Sequence, residues 1–203
     1  IKLNSASGGG SFSLQAPSSS SNNRVFTLPD SADATLLTST ASLGKIVNYA
    51  ITYKTDTAYG DVSSPTRTGD LIFLDYAAAN SNNKLLIMAN LHISNQNSNP
   101  TYGELYIGGS VATASTADAS SNRSRASFVA APNGNNDIMF LMHHNYIHGG
   151  SGTTSTSSTR YSYRFFHSNT SARAIYINKA HNDPDTNTYA RSASSIIILE
   201  LEP

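Results

Sequence analysis

Short apolar runs separated by polar turns recur along the chain after residue 43. They are rich in β-branched residues and too short for confident helices, so they predict strands. A helix is possible only over residues 111–121, where Ala is common but no apolar stripe repeats at helical spacing. The predicted strands cover residues 46–53, 70–74, 84–93, 104–108, 125–130, 137–144 and 161–167.

The most apolar run of the chain lies close to its end, at Ile196-Ile197-Ile198-Leu199. Four consecutive branched side chains predict a strand that is buried on both faces. A shorter apolar run at 174–178 comes before it, and the two are joined by a polar segment, 179–189, rich in turn formers. Pro184 bars that segment from a central strand. We therefore expect a β-hairpin in which 174–178 pairs with 190–201.

Residues 1–43 have a different pattern of polar and apolar residues. Polar and apolar residues alternate over 11–17, and short apolar runs follow at 24–28 and 34–37. Three such short strands cannot enclose a core alone. We therefore expect an N-terminal β-arm, 1–43, that attaches to other proteins and to copies of itself. A disordered arm is the alternative, since this part of the chain is rich in Gly and Ser.

The remaining residues, 44–203, form the predicted main domain. Many strands with turn signals between them, and no alternating helices, indicate an all-β fold. The pattern is typical of an antiparallel β-sandwich.

Composition narrows the function classes. Charged residues make up only 13% of the 203-residue chain, against about 25% in typical globular proteins. The formal net charge is zero, which argues against a nucleic-acid partner recruited by phosphate attraction. There is no Cys, so disulfides and thiolate metal sites are excluded. No apolar run approaches the length of a membrane span, so we expect no membrane insertion. Because the chain begins at Ile1 rather than Met, we expect upstream sequence.

Segments at both ends resemble known virion proteins. Gly10-Ser11-Phe12-Ser13-Leu14-Gln15-Ala16-Pro17, with Val25-Phe26-Thr27-Leu28-Pro29-Asp30, resembles a short β-module of phage tail-fibre and other virion appendage proteins. Ile177-Asn178-Lys179-Ala180-His181-Asn182-Asp183, with the segment from Tyr189 to Leu201, is similar to the end of a domain common in virion proteins of phages, especially marine ones. The sequence departs from that pattern at Ala190, where Gly is usual.

The resemblance implies a jelly-roll-like domain on the surface of a virus particle. Such proteins are generally homotrimers that bind a host surface or another virion protein. We accordingly expect a virion structural protein that binds a host-surface receptor, such as a glycan, with residues 1–43 contacting other virion proteins. Two alternatives stay open: an assembly-only virion subunit, and a bacterial carbohydrate-binding or matrix protein.

Two groups of residues invite a metal hypothesis. His144 and His148 share one face of a straight strand, but residues four apart on a strand are too distant for one ion. Asp183 and Asp185 imitate the start of a calcium loop, but Thr188 and Ser194 stand where an EF-hand needs Gly and Glu. We therefore predict no metal and no cofactor, and keep these residues as weak candidates.

Catalytic motifs are scarce. The chain has no Gly-x-Ser-x-Gly motif and no glycine-rich phosphate loop between a strand and a helix. Glu104 could be half of a glycosidase carboxylate pair, but no second carboxylate recommends itself. The sequence thus predicts a protein that is not an enzyme.

Aromatic residues beside polar groups are what glycan binding needs, because a sugar stacks one apolar face and hydrogen-bonds at its rim. These residues equally serve packing between strands or subunits. Arg191 is expected to pair with Glu200, Asp183 or Asp185 rather than with a ligand. The candidate receptor contacts are Tyr102, Asn145, Tyr146, Asn187 and Tyr189.

Overall fold

The computed structural model describes residues 2–4, 11–13, 45–96, 100–130, 138–186 and 190–203. The chain divides into two compact units, Ile1–Ala41 and Ser42–Pro203. In the first unit, strand β1 (Lys2–Asn4) pairs antiparallel with β2 (Ser11–Ser13). The strands predicted at 24–28 and 34–37 lie outside the described residues.

The second unit consists of two antiparallel sheets. Alternating or fully apolar runs form most of the strands, as their period of two requires. Sheet 1 contains β3 (Ile46–Lys54), β4 (Ala58–Val62), β6 (Lys84–Asn95), β10 (Phe140–Gly149), β12 (Arg173–Ile177) and β13 (Ser194–Leu201). Sheet 2 contains β5 (Ile72–Tyr76), β7 (Thr101–Ile107), β8 (Ser110–Val111), β9 (Phe128–Ala130) and β11 (Thr159–His167).

The core lies between the two sheets. Sheet 1 contributes Leu85, Ile87, Ile196 and Ile198, among others, and sheet 2 contributes Leu105, Tyr161, Tyr163 and Phe165. All eight of these side chains are fully shielded from water. The prediction of an all-β antiparallel sandwich is therefore confirmed.

The C-terminal segment differs from the predicted hairpin. β12 and β13 do not pair with each other; both pair with the same edge of β6, and they run in the same direction. On the side away from β6, β12 pairs with β4 and β13 pairs with β3. β12 and β13 thus share one strand position beside β6, and β4 and β3 share the next position. The segment between β12 and β13 is an insertion into the first of these positions. The hairpin prediction was wrong because it used only local pattern, whereas β6 decides the pairing.

Strand β13 is also not buried on both faces. Ile196 and Ile198 point into the core, but Ile197 and Leu199 lie on the outer face and are half-buried. Within the described part of the second unit, no second layer covers the outer face of sheet 1. The apolar character of this face therefore needs a different explanation from core packing.

The helix considered at 111–121 is reduced to one short 3-10 turn, Thr113–Ser115. The described residues contain no α-helix. Among them, no helix is long and apolar enough to cross a membrane.

Candidate functional site

The three predicted receptor contacts that the structure describes lie on different faces of the sandwich. Tyr102 lies on the outer face of sheet 2, where its ring stacks on Phe166 at 4.9 Å between centroids. Asn145 is exposed on the outer face of sheet 1, and Tyr146 faces inward beside the core. Asn187 and Tyr189 lie outside the described residues.

The histidine candidates for metal binding belong to an aromatic row on the inner face of β10. The ring of Tyr146 lies between those of His144 and His148, 6.4 Å from each by centroid. His144 Nδ1 lies 2.8 Å from the Tyr163 hydroxyl. Burial lowers the pKa of both histidines, more than a backbone contact from Ser115 raises that of His144. The two imidazoles are therefore separated, neutral packing groups near pH 7.

The acidic candidates occupy the insertion between β12 and β13. The Asp183 carboxylate is 2.9 Å from Arg191 Nη2 and 3.9 Å from Lys179 Nζ. Two cations thus already neutralise this carboxylate, while Asp185 is exposed. The expected pairing of Arg191 with Asp183 is confirmed. The described residues contain no cluster of three metal-ligating side chains.

Glu200, the other partner considered for Arg191, is fully buried on the inner side of β13. Its carboxylate accepts hydrogen bonds from the Tyr76 hydroxyl at 2.6 Å and from Asn83 Nδ2 at 2.6 Å. It also accepts from the backbone N–H groups of Ala79 and Asn80. Burial raises the pKa of Glu200, but these hydrogen bonds outweigh it and leave the pKa lowered. This residue is a structural clamp on the loop between β5 and β6.

The outer face of sheet 1 is the first of two candidate surfaces. Cross-strand register places side chains from four strands in rows on this face. The rows are Tyr49–Leu199–Leu86–Ile147, Ile51–Ile197–Met88–Asn145 and Tyr53–Ser195–Asn90–His143. None of these twelve residues is Lys, Arg, Asp or Glu.

Strand β3 shows an inverted pattern on this face. Its outward positions opposite β13 are apolar (Tyr49, Ile51 and Tyr53), while its inward positions are Asn48, Ala50, Thr52 and Lys54. Tyr49 and Tyr53 are each 68% exposed. A solvated sheet face is normally the polar one. The alternation along β3 is thus typical of a strand whose outer face is covered.

The outer face of sheet 2 has a different chemistry. Three guanidinium groups lie over aromatic rings: Arg160 over Phe73, Arg164 over Tyr106 and Arg67 over Phe166, each within 4.2 Å of the ring centroid. Each guanidinium also pairs with a carboxylate. The two interactions together fix these long side chains in place.

A cleft of about 280 Å³ opens beside this face. Arg67 binds the Glu104 carboxylate through two hydrogen bonds of 2.9 Å. Glu104 itself is only 5% exposed. The cleft is lined by Arg67, Glu104, Val111, Thr113, Thr116 and Arg125.

Sequence reasoning missed both surfaces. The signal for the first was present in β3, where apolar residues take every second position, but alternation alone does not tell which side faces the core. The signal for the second was absent, because Arg67 and Arg125 come from loops far from Glu104 along the chain. No protein-family model matches the chain, and no curated protein matches it significantly.

Proposed function

We propose that this chain is a non-enzymatic structural protein of a virus particle that assembles as a homotrimer and binds a host surface. The outer face of sheet 1 packs against copies of the chain, and the outer face of sheet 2 stays free for adhesion. The inverted pattern of β3 carries the proposal, because it places the apolar side of an edge strand in water in a single chain.

A second copy is the occupant that the chemistry of the face favours. The twelve residues of the three rows include no Lys, Arg, Asp or Glu, so this face of each copy can pack against its neighbours around a threefold axis without like-charge repulsion. A charged partner would find no opposite charge among these twelve residues. Aromatic and Met side chains, which interfaces favour, are both present in the rows.

The size of the apolar face agrees with an interface. A Tyr side chain covers about 150–250 Å², so Tyr49 and Tyr53 alone leave roughly 200–350 Å² in water. Leu141 and Ile147, also on this face and about half exposed, enlarge the patch. Patches larger than a few hundred Å² on a monomer mark interaction sites.

The strand order supports a jelly-roll class within the sandwich. Sheet 1 has the order β3/β4, β12/β13, β6, β10, and sheet 2 has the order β5, β11, β7, β9. Successive strand positions along the chain mostly alternate between the sheets, as in two interleaved Greek keys. The trimer and the virion location rest on the resemblance of the terminal segments to phage appendage proteins.

Adhesion follows from this arrangement. The two outer faces of a sandwich point in opposite directions, so assembly through sheet 1 leaves sheet 2 accessible in every copy. Several weak sites on one rigid assembly gain affinity through avidity. An assembly-only subunit would share the sheet 1 interface but not need a binding surface on sheet 2.

Tyrosine nitration of the native full-length protein tests the interface. Tyr49 and Tyr53 should be protected in the assembly although both are exposed in one chain, while Tyr102 on sheet 2 should react. Free reaction of Tyr49 and Tyr53 would contradict the proposal. Antibody labelling of particles tests the virion location, and label confined to the bacterial matrix would favour the bacterial alternative.

A further inference from the structure

We infer that the cleft beside Glu104 binds an acidic saccharide, a sugar that carries a carboxylate. The inference rests on the proposed adhesive function and names the class of its ligand. The cleft brings together a partly buried ion pair, a second guanidinium and hydroxyl groups, and these groups come from separate parts of the chain.

Arg125 supplies the group that distinguishes an acidic sugar from a neutral one. Its Nε donates to the carbonyl of Ala117 at 2.7 Å. That bond anchors the guanidinium at the wall of the cleft. Its two terminal amino groups make no hydrogen bond to any part of the chain that the structure describes. This pair of donors matches the two oxygens of a carboxylate.

Glu104 supplies acceptors for sugar hydroxyls. Arg67 donates to both oxygens of its carboxylate, and the Tyr106 hydroxyl lies 3.4 Å from Oε2. A carboxylate oxygen accepts more than one hydrogen bond, so acceptor capacity remains. Arg67 is in turn held over the ring of Phe166 at 3.9 Å. The floor of the cleft is therefore rigid before any ligand arrives.

The rest of the cleft fits a sugar ring. Val111 presents an apolar side chain, and Thr113 is exposed beside it. Thr116 also lines the cleft, and because its hydroxyl donates to the Thr113 carbonyl at 2.8 Å, the hydroxyl oxygen is left as an acceptor. With two guanidinium groups and one carboxylate, the lining is net positive. This charge favours a monoanionic sugar over a neutral one.

Calorimetric titration of the full-length protein with a galacturonic acid tetramer tests the inference, with a neutral galactose tetramer as the comparison ligand. We expect the acidic tetramer alone to bind, and to bind less tightly as salt rises from about 20 mM to about 200 mM. Arg125→Gln should weaken binding about tenfold or more, because it removes a charge-assisted hydrogen bond. Thr113→Val should also weaken it.

Arg123→Gln is the matched control, since Arg123 is exposed nearby but does not line the cleft. Unchanged binding by Arg125→Gln, or equal binding of the neutral tetramer, would overturn the inference. If the wild type is trimeric and adheres to host cells yet does not bind the acidic tetramer, the site assignment fails alone. A monomer that adheres to nothing would instead overturn the proposed function.

Discussion

The Ser194 hydroxyl donates a hydrogen bond to Asn178 Oδ1 at 2.6 Å and closes the neck of the insertion at residues 178–193. Asn178 Nδ2 donates across the sheet to the carbonyls of Lys54 and Asp56, at 2.7 and 2.9 Å. Asn178 is fully buried and has a left-handed backbone, with φ of 64°. Asn tolerates that conformation better than most residues. The Asn178 side chain therefore links the ends of β12, β13 and β3 at the point where the insertion begins.

Asn178→Ala should destabilise the protein by about 2–4 kcal/mol, because it removes three hydrogen bonds of a buried side chain and puts Ala in a left-handed conformation. Gly adopts the left-handed conformation without strain, so the destabilisation by Asn178→Gly measures the loss of the hydrogen bonds. Urea unfolding followed by circular dichroism measures both changes.

Asn122 provides the control for this prediction, because it is exposed in a turn. Asn122→Ala should change the free energy of unfolding by no more than about 0.5 kcal/mol. Equal stability of Asn178→Ala and Asn122→Ala would contradict the role of Asn178 at the neck.

Glu200 makes the stability of the sandwich depend on pH. Because its pKa is lowered in the folded state, its stabilising contribution is complete above the unfolded pKa of about 4.3. The contribution is lost as the pH falls through the lower folded pKa. Glu200→Gln should cost about 2 kcal/mol at neutral pH, and its stability should fall less than that of the wild type on acidification.

Unfolding curves at a series of pH values between neutral and about pH 3 measure this difference. Glu202→Gln is the control, since Glu202 is exposed two residues further along. If Glu200→Gln and the wild type lost stability in parallel as the pH falls, ionisation of Glu200 would not contribute to the pH dependence of the free energy of unfolding.

Gly103 tests the packing between β7 and β9. A Cβ at this position would lie 2.0 Å from the ring of Phe128, whereas a Cβ at Gly69 would meet no atom within 4 Å. Gly103→Ala should destabilise the protein by about 1–3 kcal/mol through overpacking. Gly69→Ala should be neutral or slightly stabilising. Thermal unfolding of the two variants compares them, and similar melting temperatures would contradict the packing of Phe128 against β7.

Most strands were predictable because their apolar runs are local signals. The prediction of 84–93 matches β6, and that of 46–53 matches β3, within two residues. The prediction at 137–144 missed the second half of β10, because polar residues on both faces, Asn145 outward and His148 inward, hide the alternation. β4 was not predicted, since its sequence, Ala-Tyr-Gly-Asp-Val, has no apolar run.

Long-range relationships were less accessible. The pairing of β12 and β13 with one edge of β6 depends on residues far away along the chain, so a local hairpin was the natural but wrong expectation. Glu200 lies two and four residues after Ile198 and Ile196 and therefore on the same face of the strand, which could have indicated an inward carboxylate. The cleft could not be predicted, because loop positions bring Arg67 and Arg125 to Glu104.

A charge on the outer face of sheet 1 should break the assembly. Ile147 is 57% exposed on that face, and Val129 is 50% exposed on β9 of sheet 2. Ile147→Lys should shift the protein to smaller species in size-exclusion chromatography, because a lone charge is costly in an apolar interface. Val129→Lys should leave the elution volume unchanged. Equal behaviour of the two variants would remove sheet 1 from the interface.

The mass of the wild-type protein in solution tests the central claim most directly. Sedimentation velocity at micromolar concentration should give three times the 21.6 kDa of one chain. A mass of two chains would keep the apolar interface but contradict the trimer. A single-chain mass at every concentration would contradict the claim that the outer face of sheet 1 is covered by copies of the chain.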